Sequence, residues 1–216
     1  MTKPPKASSE NLPSVRGPRR VDAAERRHRI LRAAHKLFLA KGYADTSLND
    51  IIALCGGSKA SIVENFGNKA GLFTTIIESE AISFAGQLKD IPSAVPQATL
   101  QAYGEAILRF YLQPEALLIY RGVISSGAQF PAMSRAFYLR AHEHVVVPIA
   151  EQLRRWHQLG KIKKIDFHVE ADRFTHMLRN GLYEQHLLGF GRKVKAEDIR
   201  RQVSGAVFVF LRGLET

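Results

Sequence analysis

The sequence predicts an all-α fold of about nine helices, with a three-helix head at the N-terminal end and a larger helical body behind it. Three observations point there. Apolar residues recur at three- and four-residue spacing in nearly every segment after residue 21, and no segment alternates at period two for long enough to demand a sheet. Helix stops are explicit at Gly42, Gly67, Gly160 and Gly189, and Pro96 and Pro114 sit where a first-turn proline is tolerated. Charge is uneven: the 216 residues carry a formal +11, of which residues 1–75 hold +7 and residues 76–216 hold +4. A small basic module on a near-ordinary body suggests a polyanionic partner.

Residues 1–20 place Pro4, Pro5, Pro13 and Pro18 among Ser, Lys and Arg. They hold too little apolar surface to offset ordering, so a disordered basic arm is expected. Asp22 and Glu25 resemble a capping box for helix one, which carries Ile30, Ala34, Leu37 and Phe38 and stops at Gly42. Thr46 or Ser47 caps helix two, which is broken by Cys55-Gly56-Gly57. Ser58 caps helix three, with Ile62, Val63 and Phe66, and Asn68 caps a long helix four with Leu72, Phe73, Ile77 and Phe84. Helix five is expected over about 96–112 and helix six over 114–126. Helix seven spans 131–159 and is kinked by the internal Pro148. Helix eight runs from an Asp166 cap to Gly189, and helix nine from about 195 to 212. The domains expected are the arm (1–20), the head (21–67) and the body (68–216).

Other function classes find little support. One cysteine excludes an intramolecular disulfide and any site of several thiolates. His142 and His144 splay across a helix, and His168 and His176 lie two turns apart, so no metal site is expected. No catalytic constellation stands out, and Cys55 reads as a small apolar plug. No stretch approaches the roughly 20 apolar residues of a membrane span, and the N-terminus lacks a signal peptide's apolar core. A soluble, cytoplasmic, non-enzymatic protein without a cofactor is expected.

The most informative stretch is TSLNDIIALCGGSKASIVENF, residues 46–66. Two short helices joined by a Gly-containing turn make a helix-turn-helix, and Gly56 can take the positive φ such a turn needs. Ile51, Ile52, Ile62 and Phe66 would pack the pair together. That leaves Ser58, Lys59, Ala60, Ser61, Glu64 and Asn65 toward a major groove. Residues 29–73 resemble the DNA-binding domain of the tetracycline-repressor (TetR) family of transcriptional regulators. The matching positions are Ile30-Leu31, Ala33-Ala34, Leu37-Phe38, Gly42-Tyr43, Thr46-Ser47, Gly56, Ser58-Lys59, Phe66, Lys69 and Leu72-Phe73. The chain departs from the family's usual Gly-Thr-Leu-Tyr-x-Tyr-Phe at Ala60-Ser61-Ile62-Val63-Glu64-Asn65-Phe66, losing both tyrosines. Gly57 and Ala70 stand where Val and Glu are usual.

The resemblance implies double-stranded operator DNA as a partner, bound by a homodimer, with Lys69 on a phosphate. Thr46 and Ser47, at a helix N-terminus, suit another phosphate, and Tyr43 could reach the backbone. Arg19 and Arg20 of the arm suit a minor groove.

The resemblance also implies a C-terminal ligand-binding and dimerisation domain. Arg121-Gly122-Val123-Ile124, Phe130-Pro131 and Phe137-Tyr138 look somewhat like its AefR-like subgroup. Tyr103, Phe110, Arg121, Phe130, Phe137, Phe174 and Met177 are the candidates for a pocket holding a small, mainly apolar effector. A core would use the same aromatics, and Arg109 and Arg121 could as well form structural ion pairs. Leu178, Gly181 and Leu182 of helix eight and Val203, Val207 and Phe210 of helix nine are the candidate dimer interface. The function expected is a repressor released by its effector. Two alternatives stand beside it: a small-molecule-binding protein or enzyme with a degenerate DNA-binding head, and an effector-independent DNA-binding protein.

Overall fold

The structure, a computed structural model, describes residues 23–89, 91 and 94–214. Among the described residues there is no strand. The α-helical segments are α1 (Ala23–Lys41), α2 (Leu48–Cys55), α3 (Lys59–Phe66), α4 (Lys69–Lys89), α5 (Pro96–Tyr111), α6 (Pro114–Ser126), α7 (Pro131–Ala141), α8 (Val147–Gln158), α9 (Phe167–Leu178), α10 (Leu182–Leu187) and α11 (Ala196–Arg212). A π-helical turn, His142–Val146, joins α7 to α8 in one continuous rod. The described residues therefore form ten rods, one more than expected.

The extra rod comes from the expected helix eight. Asp166 caps it, its carboxylate accepting from the N–H groups of His168 and Val169 at 3.2 Å each, but α9 ends at Leu178. Gly181, at φ +68°, then starts the separate α10. Pro148 also acts differently from a simple kink. It falls in the first turn of α8, and the N–H of Val147 reaches back five residues to the carbonyl of His142. The wider π turn makes room at the point where a proline has no N–H and would crowd the preceding turn.

Two apolar cores meet along α4. The head core joins Ile30, Ala34 and Phe38 of α1 to Ile51 of α2, Ile62 and Phe66 of α3, and Leu72, Phe73, Ile76 and Ile77 of α4. Eight-residue helices such as α2 and α3 are marginal alone, so this packing holds them. The body core begins further along α4, at Phe84 and Leu88, and gathers Leu100, Ile107, Trp156, Phe174 and Val203. At Gly104 of α5 a Cβ would stand 2.5 Å from Val203 Cγ1, so only glycine lets α5 and α11 approach this closely.

Candidate DNA-reading face and effector cavity

The turn between α2 and α3 is built from Gly56 at φ +73° and Gly57 at φ +100°. Ser58 caps α3, its Oγ accepting from the Ser61 N–H at 3.2 Å. Ser58, Lys59, Ala60, Glu64 and Asn65 are exposed together on one helix, which presents small and polar groups on a convex edge narrow enough for a major groove. Ser61 is half-buried, and its Oγ has no partner among the described residues. Asn65 Nδ2 donates to the Ser61 carbonyl at 2.8 Å.

The neighbouring candidates divide. Ser47 is exposed and caps α2. The Asp50 carboxylate accepts from the Ser47 hydroxyl at 2.7 Å and from the Ser47 N–H at 2.8 Å. Those two bonds, helped by Lys41, hold the Asp50 pKa down at about 2. Thr46 and Tyr43, by contrast, are corrected by burial. Thr46 is 1% exposed, with its Oγ1 donating to the carbonyls of Gly42 at 2.7 Å and Leu37 at 3.3 Å. Tyr43 is 5% exposed, packed among Phe38, Phe73 and Phe130. Both face inward because the chain after Gly42 folds back over the end of α1.

Lys69, expected on a phosphate, is occupied within the chain. Its Nζ donates to the carbonyls of Tyr43 at 2.8 Å, Thr46 at 2.9 Å and Ala44 at 3.3 Å. It also lies 4.4 Å from the Tyr43 ring centroid and 5.3 Å from that of Phe130. Burial lowers its pKa. Arg19, Arg20 and the rest of the arm lie outside the described residues.

Sequence reasoning missed a basic groove on α1. Arg29, Arg32 and Lys36 share one helix face and line a surface recess with Leu54 and Cys55 at the end of α2. The spacing of these bases was a readable signal. Arg27 lies over the Phe66 ring, with its guanidinium carbon 5.1 Å from the centroid.

In the body, a cavity of about 90 Å³ opens between α4, α5, α6 and α7. Ile77, Ala81, Phe84, Phe110, Ile119 and Phe137 give it apolar walls. A second cavity of about 190 Å³ shares Tyr111, Tyr120, Phe137 and Arg179 with it. Phe84 and Phe110 stack at 4.6 Å, and Tyr111, Tyr120 and Tyr183 cluster at 5.6–5.9 Å. Burial raises the Tyr183 pKa further above its usual range, with Tyr120 adding to the effect. His35, from α1 of the head, also lines the first cavity, and its buried Nε2 has no partner among the described residues.

Of the residues expected around a ligand, Phe110 and Phe137 line the cavity and five are placed elsewhere. Tyr103 sits in a separate recess with Leu88, Gln152 and Arg155. Phe130 packs on Tyr43. Phe174 is fully buried against Phe210, with ring centroids 5.0 Å apart, and Met177 packs against the same core. The Nε of Arg121 donates to the Leu187 carbonyl at 2.7 Å, and its Nη2 donates to that of His186, tying α6 to α10. Arg109 pairs with Glu105 at 2.6 Å. The cavity's cation is instead Arg179.

Four of the six expected dimer residues are also corrected by burial. Leu178 and Val203 are 0% exposed, Val207 1% and Phe210 5%. They bind α11 to α5 and α9 within one chain and have no surface left to offer. Gly181 forms the turn before α10, and the Leu182 N–H donates to Gln202 at 3.2 Å. The outer face of α11 instead shows Phe208 and Val209 at 58% and 60% exposure, near the exposed Arg212. A helix apolar on two sides buries one internally, and residue type does not say which. Among the described residues, no three His, Cys, Asp or Glu side chains are placed to hold a metal ion, and no helix is long and apolar enough to cross a membrane.

Comparison with known proteins places this geometry. The profile of bacterial regulatory proteins of the tetR family matches residues 30–76, and that of the AefR-like transcriptional repressor C-terminal domain matches residues 98–213. A Mesorhizobium loti MAFF303099 protein assigned to the TetR family of transcriptional regulators superposes with a TM-score of 0.76 at 21% identity, covering 90% of this chain and 98% of that one. The Flavonoid-responsive Regulator FrrA superposes with a TM-score of 0.75 at 23% identity, covering 89% and 98%. Salmonella enterica GusR follows with a TM-score of 0.60 at 18% identity, covering 85% and 95%. No curated protein matches the chain in sequence. With its exposed α3 edge, its basic α1 and both halves matched in order, the chain belongs to the TetR family of DNA-binding transcriptional regulators and carries an AefR-like C-terminal domain.

Proposed function

We propose that this regulator is a repressor that binds a pseudo-palindromic operator as a homodimer and leaves it when a small molecule fills the body cavity. One observation carries the reading: α4 belongs to both cores. Leu72, Phe73 and Ile76 lie in the head core, Phe84 and Leu88 in the body core, and Ile77 belongs to the head core while also lining the cavity. His35 brings α1 to the same wall. A guest that moves these side chains moves the head, whose α3 must match its twin across roughly 34–36 Å of DNA. A flavonoid-responsive regulator of the same fold is a precedent for an aromatic guest. Val63, 47% exposed where relatives carry a tyrosine, shifts phosphate binding toward Arg29, Arg32 and Lys36.

The dimer face in this reading is the outer side of α11, where the adjacent Phe208 and Val209 are 58% and 60% exposed. Such clustered apolar exposure marks an interaction surface.

The test is a salt-dependent gel shift of the full chain on DNA from its own promoter, with calorimetry of any effector with and without that DNA. A 100-fold release needs about 2.7 kcal/mol of coupling, and operator DNA must weaken effector binding by the same factor. Equal effector affinities in the two titrations would leave an effector-independent binder. Phe208→Glu should give monomers with weak operator binding, and a DNA-competent dimer from that variant would move the interface elsewhere.

A further inference from the structure

Among the described residues, Arg179 is a cation without a counter-ion. It follows the end of α9, half-buried, and lines both cavities. Three tyrosine rings surround it: its guanidinium carbon lies 4.9 Å from the centroid of Tyr111, 5.7 Å from Tyr120 and 6.0 Å from Tyr183. Ring faces attract the charge but do not accept its N–H groups in plane. A guanidinium carries five N–H donors. One hydrogen bond reaches a side chain, from Nη2 to the Tyr111 hydroxyl at a long 3.3 Å, and the buried Nε has no partner among the described residues.

The surrounding acids do not answer it. Glu80 and Glu115 line the first cavity, but both are exposed. Asp172 lines the second and lies 3.6 Å from His176. Among the described residues, none of the three is within ion-pair distance of Arg179. Burial raises the Tyr183 pKa above its usual range. A guanidinium left this way, lining two cavities, is under-satisfied by the chain itself.

We propose that the effector is an aromatic carboxylate. Its carboxylate sits in the fork of Arg179, and its ring lies between Phe110, Phe137 and the tyrosines. Planar guanidinium matches planar carboxylate in two parallel hydrogen bonds. The apolar walls and stacked rings suit a flat body of one or two rings, the size the adjoining spaces of about 90 and 190 Å³ admit. The assignment rests on the cavity being the effector site, and it gives the guest a charge that the apolar walls alone do not call for.

The experiment titrates the full chain calorimetrically with three acid–amide pairs: benzoate and benzamide, cinnamate and cinnamamide, 2-naphthoate and 2-naphthamide. At least one acid should bind, at least about tenfold tighter than its own amide, as a hydrogen-bonded charge in a sheltered site requires. Arg179→Gln should erase that preference. Amides that bind as well as their acids, binding by no acid, or an acid preference that survives Arg179→Gln would overturn the assignment. The acid-to-amide ratio on the unaltered chain decides it even if Arg179→Gln does not fold. The same compounds enter the gel shift. An amide that binds as tightly as its acid and releases operator DNA removes the carboxylate and keeps the effector reading. An acid that binds with the expected preference without releasing DNA keeps the carboxylate and removes the effector reading.

Discussion

Lys69 in the head and Arg179 in the body are both partly buried cations resting on tyrosine rings. Lys69 has three backbone carbonyls within 3.3 Å. Arg179 has one long bond to a phenol, and its buried Nε has no partner among the described residues. Around Lys69 the head pairs its polar groups internally: Thr46 on Gly42 and Leu37, Asp50 on Ser47, Lys69 on the loop that precedes α2. It is built to hold α3 in one orientation. The body does the same at α11, where Arg192 and Asp198 pair at 2.8 Å, but not around the cavity. The difference separates a positioning cation from a receiving one.

Experiment can test this distinction, and the largest effect belongs to the head. Lys69→Met strands three carbonyls and should cost about 1.5–3 kcal/mol, the range for hydrogen bonds to a charged group. For a chain of this size that lowers the melting temperature by roughly 4–10 °C. Operator binding should fall mainly through loss of folded head, so a stable Lys69→Met protein with weak, sequence-independent affinity loss would return Lys69 to the phosphate.

Next in size is the α1 groove. Arg32→Ala with Lys36→Ala should weaken operator binding similarly across sequences. For a homodimer the log–log salt slope should fall by about 2–4, near 0.9 for each of up to four phosphates no longer neutralised. An unchanged slope would exclude this face from DNA.

Each region also has a capping aspartate, so acid probes both. Hydrogen bonds from Arg192, first, and from the Lys195 N–H hold the Asp198 pKa at about 2, as Ser47 does for Asp50. A lowered carboxylate pKa contributes stability above its ordinary range near pH 4, and that contribution is lost as pH falls toward 2. Asp198→Asn should flatten this part of the acid dependence in thermal melts. An unchanged acid limb would mean that the Arg192 pair contributes nothing net.

The smallest effect belongs to Arg179. Without ligand, Arg179→Met should leave stability within about 0.5 kcal/mol of the parent or raise it, because it removes an unpaired charge. A loss as large as that of Lys69→Met would make the two cations equivalent and end the distinction.

Much of this was legible from residue types. Gly56 marked the turn, Ser58 the start of α3, and Asn68 the start of α4, where its Oδ1 accepts the Gly71 N–H at 2.9 Å. Each acts on backbone within a few residues, so the chemistry that makes the signal also makes the structure. Phe110 and Phe137 were readable as cavity candidates only as members of an aromatic set, because walls and cores draw on the same side chains. Arg121 and Arg179 look alike along the chain, yet carbonyls of α10 meet the first and open space meets the second.

The helices, the helix-turn-helix and its exposed edge follow from residue order alone, because propensity, capping and turn conformation are local and reach no further than a turn or two. Long-range packing settled the rest. It turns Tyr43 and Thr46 inward and makes Lys69 hold the head together. It makes α11 bury Val203, Val207 and Phe210 and show Phe208 and Val209, and it sets Arg179 against a cavity. Those outcomes depend on which surfaces meet across tens of residues. An apolar stripe or a charged side chain carries no record of its partner until the packing chooses one.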